Sequence, residues 1–402
     1  MSFEAPAAPA LAVSQALVRR IGEAIDAAGG WIGFDRYLQH ALYEPAMGYY
    51  SGPNRVFGAE GDFVTAPEMS SLFGRCVAVQ CAQWLDEVGG GIVEFGAGSG
   101  ALASQVLSTL RDANALPDGY SIVELSAPLR ERQRRTIGAA GPGLLERVRW
   151  LDALPERIEG VVLANEVLDA MPVRVFRCAG ADVLERGVAR VGADAIGWQE
   201  RKADAKFAAL VHERLREAWS VYAGEEIERL RETAPYVSEI GEQAEAWVET
   251  VGSRLVRGAM LLIDYGFPRH ELYHPQRDSG TLRCHYRHRA HDDPFLWPGL
   301  QDITAHVDFT AIGDAAARAG LDLLGFQSQA RFLLDCGLLD ACAAIPRDDL
   351  RAWTRETQAV QRLLSEAEMG ELFKAIAFGR GVADAAIGFR SRDRRASLQA
   401  AR

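Results

Sequence analysis

Two amphipathic segments open the chain. Residues 11–28 carry apolar side chains at the spacing of a helix, and this segment ends at Gly29 and Gly30. A second segment of this kind runs from about Met69 to Val88 and ends at three further glycines. The pattern predicts an N-terminal region of helices joined by a loop that is rich in aromatic residues.

Between residues 92 and 173, short apolar runs alternate with longer amphipathic segments. The runs are IVEF, YSIVEL, RVRWL and GVVLAN, and the helical segments between them include ALASQVLSTLRDA and APLRERQRRTIG. Buried strands separated by helices indicate crossover connections, which produce a parallel sheet covered on both faces. We therefore predict an α/β fold with a doubly wound, Rossmann-like sheet.

This alternation stops at about residue 174 and resumes at GAMLLIDYG, which begins at residue 258. Short strand-like pieces and charged helical segments fill the interval, and we interpret it as an insertion. The predicted division has three parts. An N-terminal helical and loop region (1–88) contributes to the active site, a sheet domain comprises 89–173 and 258–402, and an inserted α+β accessory region (174–257) contacts a substrate or partner.

Composition narrows the classes of partner. The chain has 402 residues and a formal net charge of -11, which disfavours a nucleic-acid partner because such binding depends on neutralising phosphates. Its six cysteines form no Cys-x-x-Cys pair, as expected for reduced thiols. The N-terminus has no basic region before an apolar core, and no run approaches the ~20 apolar residues of a membrane span. We expect a cytoplasmic protein that binds neither nucleic acid nor membrane.

Three glycines at alternate positions, Gly96, Gly98 and Gly100, follow the first apolar run. Missing side chains let a ligand approach the backbone and the N-terminus of the next helix. The loop also satisfies the relaxed dinucleotide pattern, so the glycines alone do not separate a nicotinamide enzyme from a methyltransferase. A purely structural turn is the third interpretation.

Acidic residues at the ends of three successive strands favour a cationic cofactor. Glu94 stands at the end of the first strand, where its carboxylate could meet the ammonium of S-adenosyl-L-methionine and would repel a pyrophosphate. Glu124, after the second strand, suits a pair of ribose hydroxyls. Asp152, after the third strand, could accept a hydrogen bond from the adenine amino group. Together they favour S-adenosyl-L-methionine over a dinucleotide.

The fourth strand ends in the candidate catalytic residues Asn165, Glu166 and Asp169. The carboxyl ends of the strands form the ligand crevice of a doubly wound sheet. Paired carboxylates there could hold a guanidinium in charge-assisted hydrogen bonds and accept its proton. The alternative is that Asn165 or Glu166 caps the next helix. Asp264, near the end of the fifth strand, is either a contact within the site or a cap.

Two further segments concentrate polar residues. In GDFVTAPE we interpret Asp62 and Thr65 as part of a cofactor-binding loop, the alternative being a surface turn. We place His306 among the catalytic candidates of a substrate pocket, the alternative being a core histidine. The spacing in CHYRHRAH does not match a zinc site, and we expect no metal.

In this order, the segments resemble the MidA-like family of class I S-adenosylmethionine-dependent methyltransferases. The motifs that carry the resemblance span nearly the whole chain: GYYSG, FGAEGDFVTAPE, VEFGAGSGAL, YSIVELSAPLRERQ, LANEVLDAMPV, LLIDYG, TLRCHYRH, PGLQDITAHVDF and MGELFKAI. One departure is visible, because the glycine loop has GAGSG where many members have GPGRG.

The resemblance implies a class I methyltransferase sheet with an inserted accessory region, S-adenosyl-L-methionine as cofactor and a protein arginine as methyl acceptor. Mitochondrial members of the family assist assembly of respiratory complex I by methylating an arginine of one subunit, so such a subunit is one candidate partner. Two alternatives stay open, a non-enzymatic cofactor-binding assembly factor and a methyltransferase that acts on a small molecule. The sequence leaves the oligomeric state open, with a dimer among the candidates.

Overall fold

The structure is a computed structural model that describes residues 3–52, 65–179, 182–192, 195–222, 235–383 and 385–398. The helices are α1 (Ala8–Ala27), α2 (Phe34–Tyr43), α3 (Ala66–Met69), α4 (Ser71–Val88), α5 (Ala101–Asp112), α6 (Ala127–Ala139), α7 (Ala205–Trp219), α8 (Glu242–Arg254), α9 (Arg269–Leu272), α10 (Phe309–Arg318), α11 (Gln329–Asp335), α12 (Leu338–Ala343) and α13 (Leu350–Leu364). The strands are β1 (Ile32–Gly33), β2 (Gly91–Phe95), β3 (Tyr120–Val123), β4 (Val148–Leu151), β5 (Ile158–Asn165), β6 (Arg174–Ala179), β7 (Asp182–Arg190), β8 (Ile196–Lys202), β9 (Tyr236–Ile240), β10 (Leu255–Phe267), β11 (Arg283–Tyr286), β12 (Arg289–His291), β13 (Asp302–Thr304), β14 (Val307–Asp308), β15 (Asp322–Ser328) and β16 (Phe373–Arg380).

The main sheet has the strand order β15-β16-β10-β5-β2-β3-β4, and the short β14 pairs with the end of β10. Strand β16 is antiparallel to both of its neighbours, whereas β10, β5, β2, β3 and β4 pair in parallel. This arrangement confirms the predicted doubly wound α/β sheet. The chain runs outward from β2 to β4 and returns to β5 on the other side of β2. A ligand crevice is therefore expected at the carboxyl ends of β2 and β5.

Helices cover both faces of this sheet. On one face, α4 and α5 bury a stripe of apolar residues against the strands, including Trp84 and Val106. On the other face, α8 and α10 contribute Val248 and Ile312 to a second apolar core. Each such side chain, when fully buried, stabilises the fold by roughly 1.5–3 kcal/mol. The two cores fix the strands whose ends carry the acidic residues.

A second, antiparallel sheet has the order β1-β7-β6-β9, with β8 on the free side of β7. One face packs against α1 and α2, and α7 covers the other with Phe207 and Val211. Arg174 joins the strands to the helices: its guanidinium binds Glu185 at 2.7 Å and lies over the Phe207 ring. Strand β1 lies between α1 and α2 in the sequence and pairs with β7. The N-terminal helices therefore pack on a sheet that residues of the predicted insertion mostly form.

A third sheet, β12-β11-β13, packs its Cys284 and Ile303 into the core that α1 and α2 share. The N-terminal helix α2 in this core reaches the carboxyl edge of the main sheet, where the Tyr43 hydroxyl donates to the Ala170 carbonyl at 2.9 Å. Among the described helices, none is long and apolar enough to cross a membrane.

Candidate active site

A cavity of about 900 Å³ opens at the carboxyl ends of β2, β3 and β5. One end is lined by the glycine loop and by residues that follow β3, and the other by Asn165, Glu166, Tyr43 and Tyr50. No arginine or lysine lines the cavity in the part of the chain that the structure describes. A dinucleotide pyrophosphate would therefore meet carboxylates and no compensating positive side chain at this place.

The glycine loop bends sharply between β2 and α5. Gly96, Gly98 and Gly100 have φ angles of 65°, 51° and 84°, a left-handed region that favours glycine. A Cβ on Gly96 would lie 2.5 Å from Val167 Cγ2, and one on Gly100 would lie 3.0 Å from the Gln133 Cα. The sequence pattern GxGxG thus follows from backbone geometry as well as from the need for an open cavity.

Glu94 lies at the base of this loop and lines the cavity, yet it is almost fully buried. Tyr120 donates its hydroxyl proton to Glu94 Oε2 at 2.7 Å, and burial raises the pKa of Glu94 to about 7. A buried carboxylate of this kind is stabilised by a cation placed beside it. Glu94 can therefore serve as the partner of an ammonium group.

Glu124 follows β3 and also lines the cavity. The Ser126 N–H donates to its Oε1 at 2.8 Å and the Gln133 amide donates to its Oε2 at 3.3 Å, which fixes the carboxylate, and burial raises its pKa. These two donors leave acceptor capacity for ribose hydroxyls, because each carboxylate oxygen can accept more than one hydrogen bond.

Asp152 is not part of this arrangement. Its side chain is 87% exposed, pairs with Arg130 at 2.6 Å and does not line the cavity. Although it follows a strand of the same sheet, β4 is an edge strand. The structure therefore does not bring Asp152 to the place where the sequence analysis put it, and an exposed carboxylate beside an arginine needs no ligand.

Asn165 and Glu166 stand where β5 ends. The Asn165 amide donates to Glu166 Oε1 at 3.0 Å, while Asn165 Oδ1 is buried without a hydrogen-bond partner among the described residues. Burial and the neighbouring Asp169 raise the pKa of Glu166 to about 8. Glu166 also has a φ of 54°, which is uncommon for a residue other than glycine. The cavity thus ends at two side-chain acceptors held side by side.

Asp169 is buried behind this turn and does not line the cavity. Burial raises its pKa, and the Tyr265 hydroxyl hydrogen-bonds to it. His306 also lies elsewhere: it lines a small separate cavity, packs against Tyr265 and Phe267, and burial lowers its pKa to about 4. The structure therefore supports neither Asp169 nor His306 as a group that touches the contents of the main cavity.

The N-terminal region supplies walls that the sequence analysis did not identify individually. Tyr43 and Tyr50 line the cavity, with ring centroids 5.5 Å apart, and the Tyr50 hydroxyl donates to Asp302 Oδ1 at 2.8 Å. The aromatic motif GYYSG was the available signal for Tyr50. Thr65 lines the cavity as expected, whereas Asp62 lies outside the described residues.

Residues 76–327 match the sequence model of a family described as "Putative S-adenosyl-L-methionine-dependent methyltransferase". The match covers more than half of the chain. The chain belongs to this methyltransferase family. The methyltransferase uses S-adenosyl-L-methionine as its cofactor, and this confirms the predicted cofactor.

Two crystal structures from Burkholderia thailandensis resemble the whole methyltransferase. One has S-adenosyl-homocysteine bound, is 50% identical in sequence, superposes with a TM-score of 0.91, and the alignment covers 98% of this chain and 100% of that one. The second is a native structure with a TM-score of 0.88 at the same identity and coverage. The class I methyltransferase fold predicted from the sequence is therefore confirmed.

Curated relatives are more distant. The zebrafish (Danio rerio) protein arginine methyltransferase NDUFAF7 is 26% identical over 90% of this chain and 86% of its own length. The human protein is 27% identical over 87% of this chain and 80% of its own length, and the Drosophila melanogaster homologue is 28% identical over 88% and 82%. All three are mitochondrial proteins. The assignment of this chain to the cytoplasm was therefore wrong, because the cysteine pattern, the N-terminus and the lack of a long apolar run do not distinguish the cytoplasm from a mitochondrial compartment.

The residues around the cavity fit S-adenosyl-L-methionine. Gly96 and Gly98 of the glycine loop line the cavity with backbone alone, and the lining offers carboxylates at Glu94 and Glu124. These donor and acceptor types suit a ligand with one ammonium and two ribose hydroxyls. The cavity also continues beyond the loop to Glu166, which leaves room for a methyl acceptor.

Without cofactor, the methyltransferase is expected to lose thermal stability as the pH rises from about 4.5 to about 8. Glu94 and Glu166 hold a proton more tightly in the folded than in the unfolded chain. Their contribution is therefore fully present below pH 4.5 and is lost as the pH passes about 7 and about 8. Glu166→Gln removes one of the two groups and should raise the Tm at pH 8.5 by about 2 °C or more.

Calorimetric unfolding between pH 5 and pH 8.5 measures this effect, with Glu200→Gln as the contrasting variant. Arg177 holds the pKa of Glu200 below its usual value, so that substitution should lower the Tm at high pH. Parallel pH profiles for Glu166→Gln and the wild type would contradict the prediction.

Proposed function

We propose that this methyltransferase transfers a methyl group to the guanidinium of an arginine in a protein substrate. The observation that carries the proposal is the Glu166 carboxylate at the end of the cavity that begins at the glycine loop. The names of the NDUFAF7 relatives point to the same acceptor. A respiratory complex subunit as the substrate remains a prediction from the family resemblance.

The end of the cavity offers acceptors in a pattern that suits a planar, multiply donating group. Glu166 accepts from the Asn165 amide and from the Ala66 N–H, and Asn165 Oδ1 is free of partners among the described residues. A guanidinium carries five N–H donors in one plane, so it can donate to Glu166 and Asn165 together. The rings of Tyr43 and Tyr50 lie at the same end and can stabilise its positive charge.

The bound cofactor supplies an electrophilic methyl group on a sulfonium. The protein's part is to place the guanidinium nitrogen in line with that methyl group and to take up its proton. Glu166 is the group we propose for both tasks. Its raised pKa suits a base, because a carboxylate with an ordinary pKa would bind the released proton only weakly at neutral pH. Asn165 helps to orient the acceptor through its free carbonyl oxygen.

We also propose roles at the other end of the cavity. Glu94 binds the ammonium of the cofactor, Glu124 binds the ribose hydroxyls, and the glycine loop with Thr65 encloses the ligand. The domain division stays a proposal, with one adjustment: α8 lies within the predicted insertion, but its Ala244, Val248 and Val251 belong to the core of the main sheet. We infer that strands β6 to β9 and helix α7 form the accessory region that meets the protein substrate.

The acceptor is tested by incubating the enzyme and tritiated S-adenosyl-L-methionine with protein from a strain that lacks the gene. Acid hydrolysis and chromatography should recover the label in methylated arginine, and peptide mass spectrometry should locate it. A reaction saturated with S-adenosyl-homocysteine is the control. Label in lysine, or only in small molecules, would contradict the proposed acceptor.

Glu94→Gln is expected to weaken binding of S-adenosyl-homocysteine about tenfold, or ~1.4 kcal/mol. The substitution keeps the shape but removes the negative charge that faces the ammonium. Titration calorimetry measures the Kd, with 5′-methylthioadenosine as the matched ligand because it lacks the amino-acid end. Its affinity should be unchanged. An equal loss for both ligands would show that Glu94 supports the cavity without meeting the ammonium.

A further inference from the structure

Glu166 lies in a turn whose backbone is held from the neighbouring strand. Its φ of 54° places the residue in the left-handed region. A glutamate stays there only when surrounding contacts determine the backbone. One contact is the N–H of Glu166 itself, which donates to the Ile263 carbonyl of β10 at 2.9 Å. The conformation that aims Glu166 at the cavity is therefore fixed by β10 and is not favoured by the residue itself.

The next residue of β10 is Asp264, and its carboxylate accepts hydrogen bonds from the backbone N–H groups of the residues that follow Glu166. Oδ2 accepts from Val167 at 3.1 Å and from Leu168 at 2.8 Å, with a longer contact to the Asp169 N–H at 3.4 Å. Its other oxygen, Oδ1, accepts from the Tyr265 N–H at 2.9 Å. Successive residues of the turn after β5 are thus bound to a single side chain.

Asp264 is only 1% exposed and does not line the cavity. A buried carboxylate is costly unless several donors surround it, and here four backbone N–H groups do so. A hydrogen bond from the Asp264 carboxyl favours the charged form of Asp169, and burial together with the charge of Asp169 raises the pKa of Asp264. The two groups therefore titrate as one unit behind the turn, with the proton on Asp264.

We propose that Asp264 is a positioning residue for methyl transfer. It holds the backbone of the turn so that Glu166 keeps its left-handed conformation. The Glu166 carboxylate then faces the end of the cavity where we propose that the substrate arginine binds. This inference rests on the role of Glu166 under the proposed function. It assigns Asp264 no contact with cofactor or acceptor.

Asp264→Asn tests the proposal because asparagine retains the size but places an N–H₂ group where one acceptor was needed. The rate of methyl-arginine formation should fall about 10- to 100-fold, since small misplacement of a reacting group has effects of this size. The apparent KM for S-adenosyl-L-methionine and the Kd for S-adenosyl-homocysteine should change less than about twofold.

Asp308→Asn is the matched control. Asp308 is also a largely buried carboxylate beside β10, where it pairs with Arg269 at 3.2 Å and accepts from the Ala311 N–H at 3.0 Å at the start of α10, but it does not line the main cavity. This variant should lose thermal stability and keep the wild-type rate. If Asp308→Asn slowed the reaction as much as Asp264→Asn does, the effect would be one of general destabilisation and the proposal would be overturned.

A double-variant cycle with Glu166→Gln separates the two proposals. If Asp264 acts through Glu166, the double variant should be no slower than Glu166→Gln alone. If the rate losses of the two single variants multiplied in the double variant, the positioning role of Asp264 would be overturned, but the proposed methyl transfer to arginine would stand. A Glu166→Gln enzyme with the wild-type rate would instead overturn the role of Glu166.

A crystal structure of Asp264→Asn gives a readout that does not depend on activity. Residue 166 should leave the left-handed region, or its carboxylate should turn away from Asn165. An unchanged turn would overturn the proposal.

Discussion

Replacing Glu166 with glutamine is expected to slow methyl transfer about 100-fold or more while the affinity for S-adenosyl-homocysteine stays within about twofold of the wild type. Glutamine has the same shape, but its amide presents an N–H₂ group where the carboxylate accepted, and it cannot take up a proton. An incoming guanidinium would then face a donor at the Glu166 position and a single acceptor at Asn165. Initial rates of methyl-arginine formation and calorimetric titration measure the two quantities.

Glu249→Gln is the control for the loss of one paired carboxylate. Glu249 lies on α8, outside the proposed accessory region, pairs with Arg318 at 3.0 Å and does not line the cavity, so this variant should keep the wild-type rate. If Glu166→Gln lowered the rate only as much as it lowered the affinity for the cofactor, Glu166 would be a cofactor-binding residue and not a catalytic one. An unchanged rate would remove Glu166 from the mechanism.

The parallel part of the fold was predictable because strands buried on both faces appear as continuous apolar runs. β2, β5 and β10 are such runs, and each was predicted within a few residues. The antiparallel β16 and strand β9 were not predicted. Their place depends on pairing with β10 and β6, which are distant in sequence, and no local pattern of apolar residues encodes that pairing.

An acidic residue at the end of a predicted strand was not always part of the site. Glu94 lies near the end of β2, Glu124 and Glu166 directly follow β3 and β5, and all three line the cavity close to the point where the strand order reverses. Asp152 follows an edge strand and points to Arg130. The spacing of strands in the sequence does not reveal their order in the sheet. An acidic residue after a strand can therefore line the cavity or lie outside it.

The residues that line the Glu166 end of the cavity could not be predicted from local sequence, because tertiary packing brings them together. Tyr43 reaches the site because α2 packs on the second sheet, and the Tyr43 hydroxyl then bonds to the carbonyl of Ala170, 127 positions away. His306 is polar and close to the carboxyl edge, yet it packs against Phe267 and Tyr265 in a separate pocket. Composition shows that a histidine is present, but not which of two neighbouring cavities it lines.

Gly96→Val should abolish measurable binding of S-adenosyl-homocysteine, with a loss of at least 100-fold, or about 2.7 kcal/mol. At a φ of 65° a β-branched residue is an outlier, and its Cβ would lie 2.5 Å from Val167 Cγ2. The loop must move to relieve this contact, and the movement either narrows the cavity or displaces the turn that carries Glu166. Methyl transfer should be lost with the affinity. Calorimetric titration and the tritium assay measure both.

Gly143→Val is the matched control, because Gly143 also has a positive φ, at 77°, but a Cβ there would meet nothing within 4 Å. It imposes a similar backbone strain outside the cavity, so it should lower the Tm and leave the affinity for S-adenosyl-homocysteine unchanged. An equal loss of affinity in both variants would mean that strain anywhere in the chain weakens binding. If Gly96→Val lost the cofactor but still restored growth of a strain lacking the gene, the non-enzymatic alternative would replace methyl transfer as the biological role, because only a partner-binding function survives without the cofactor.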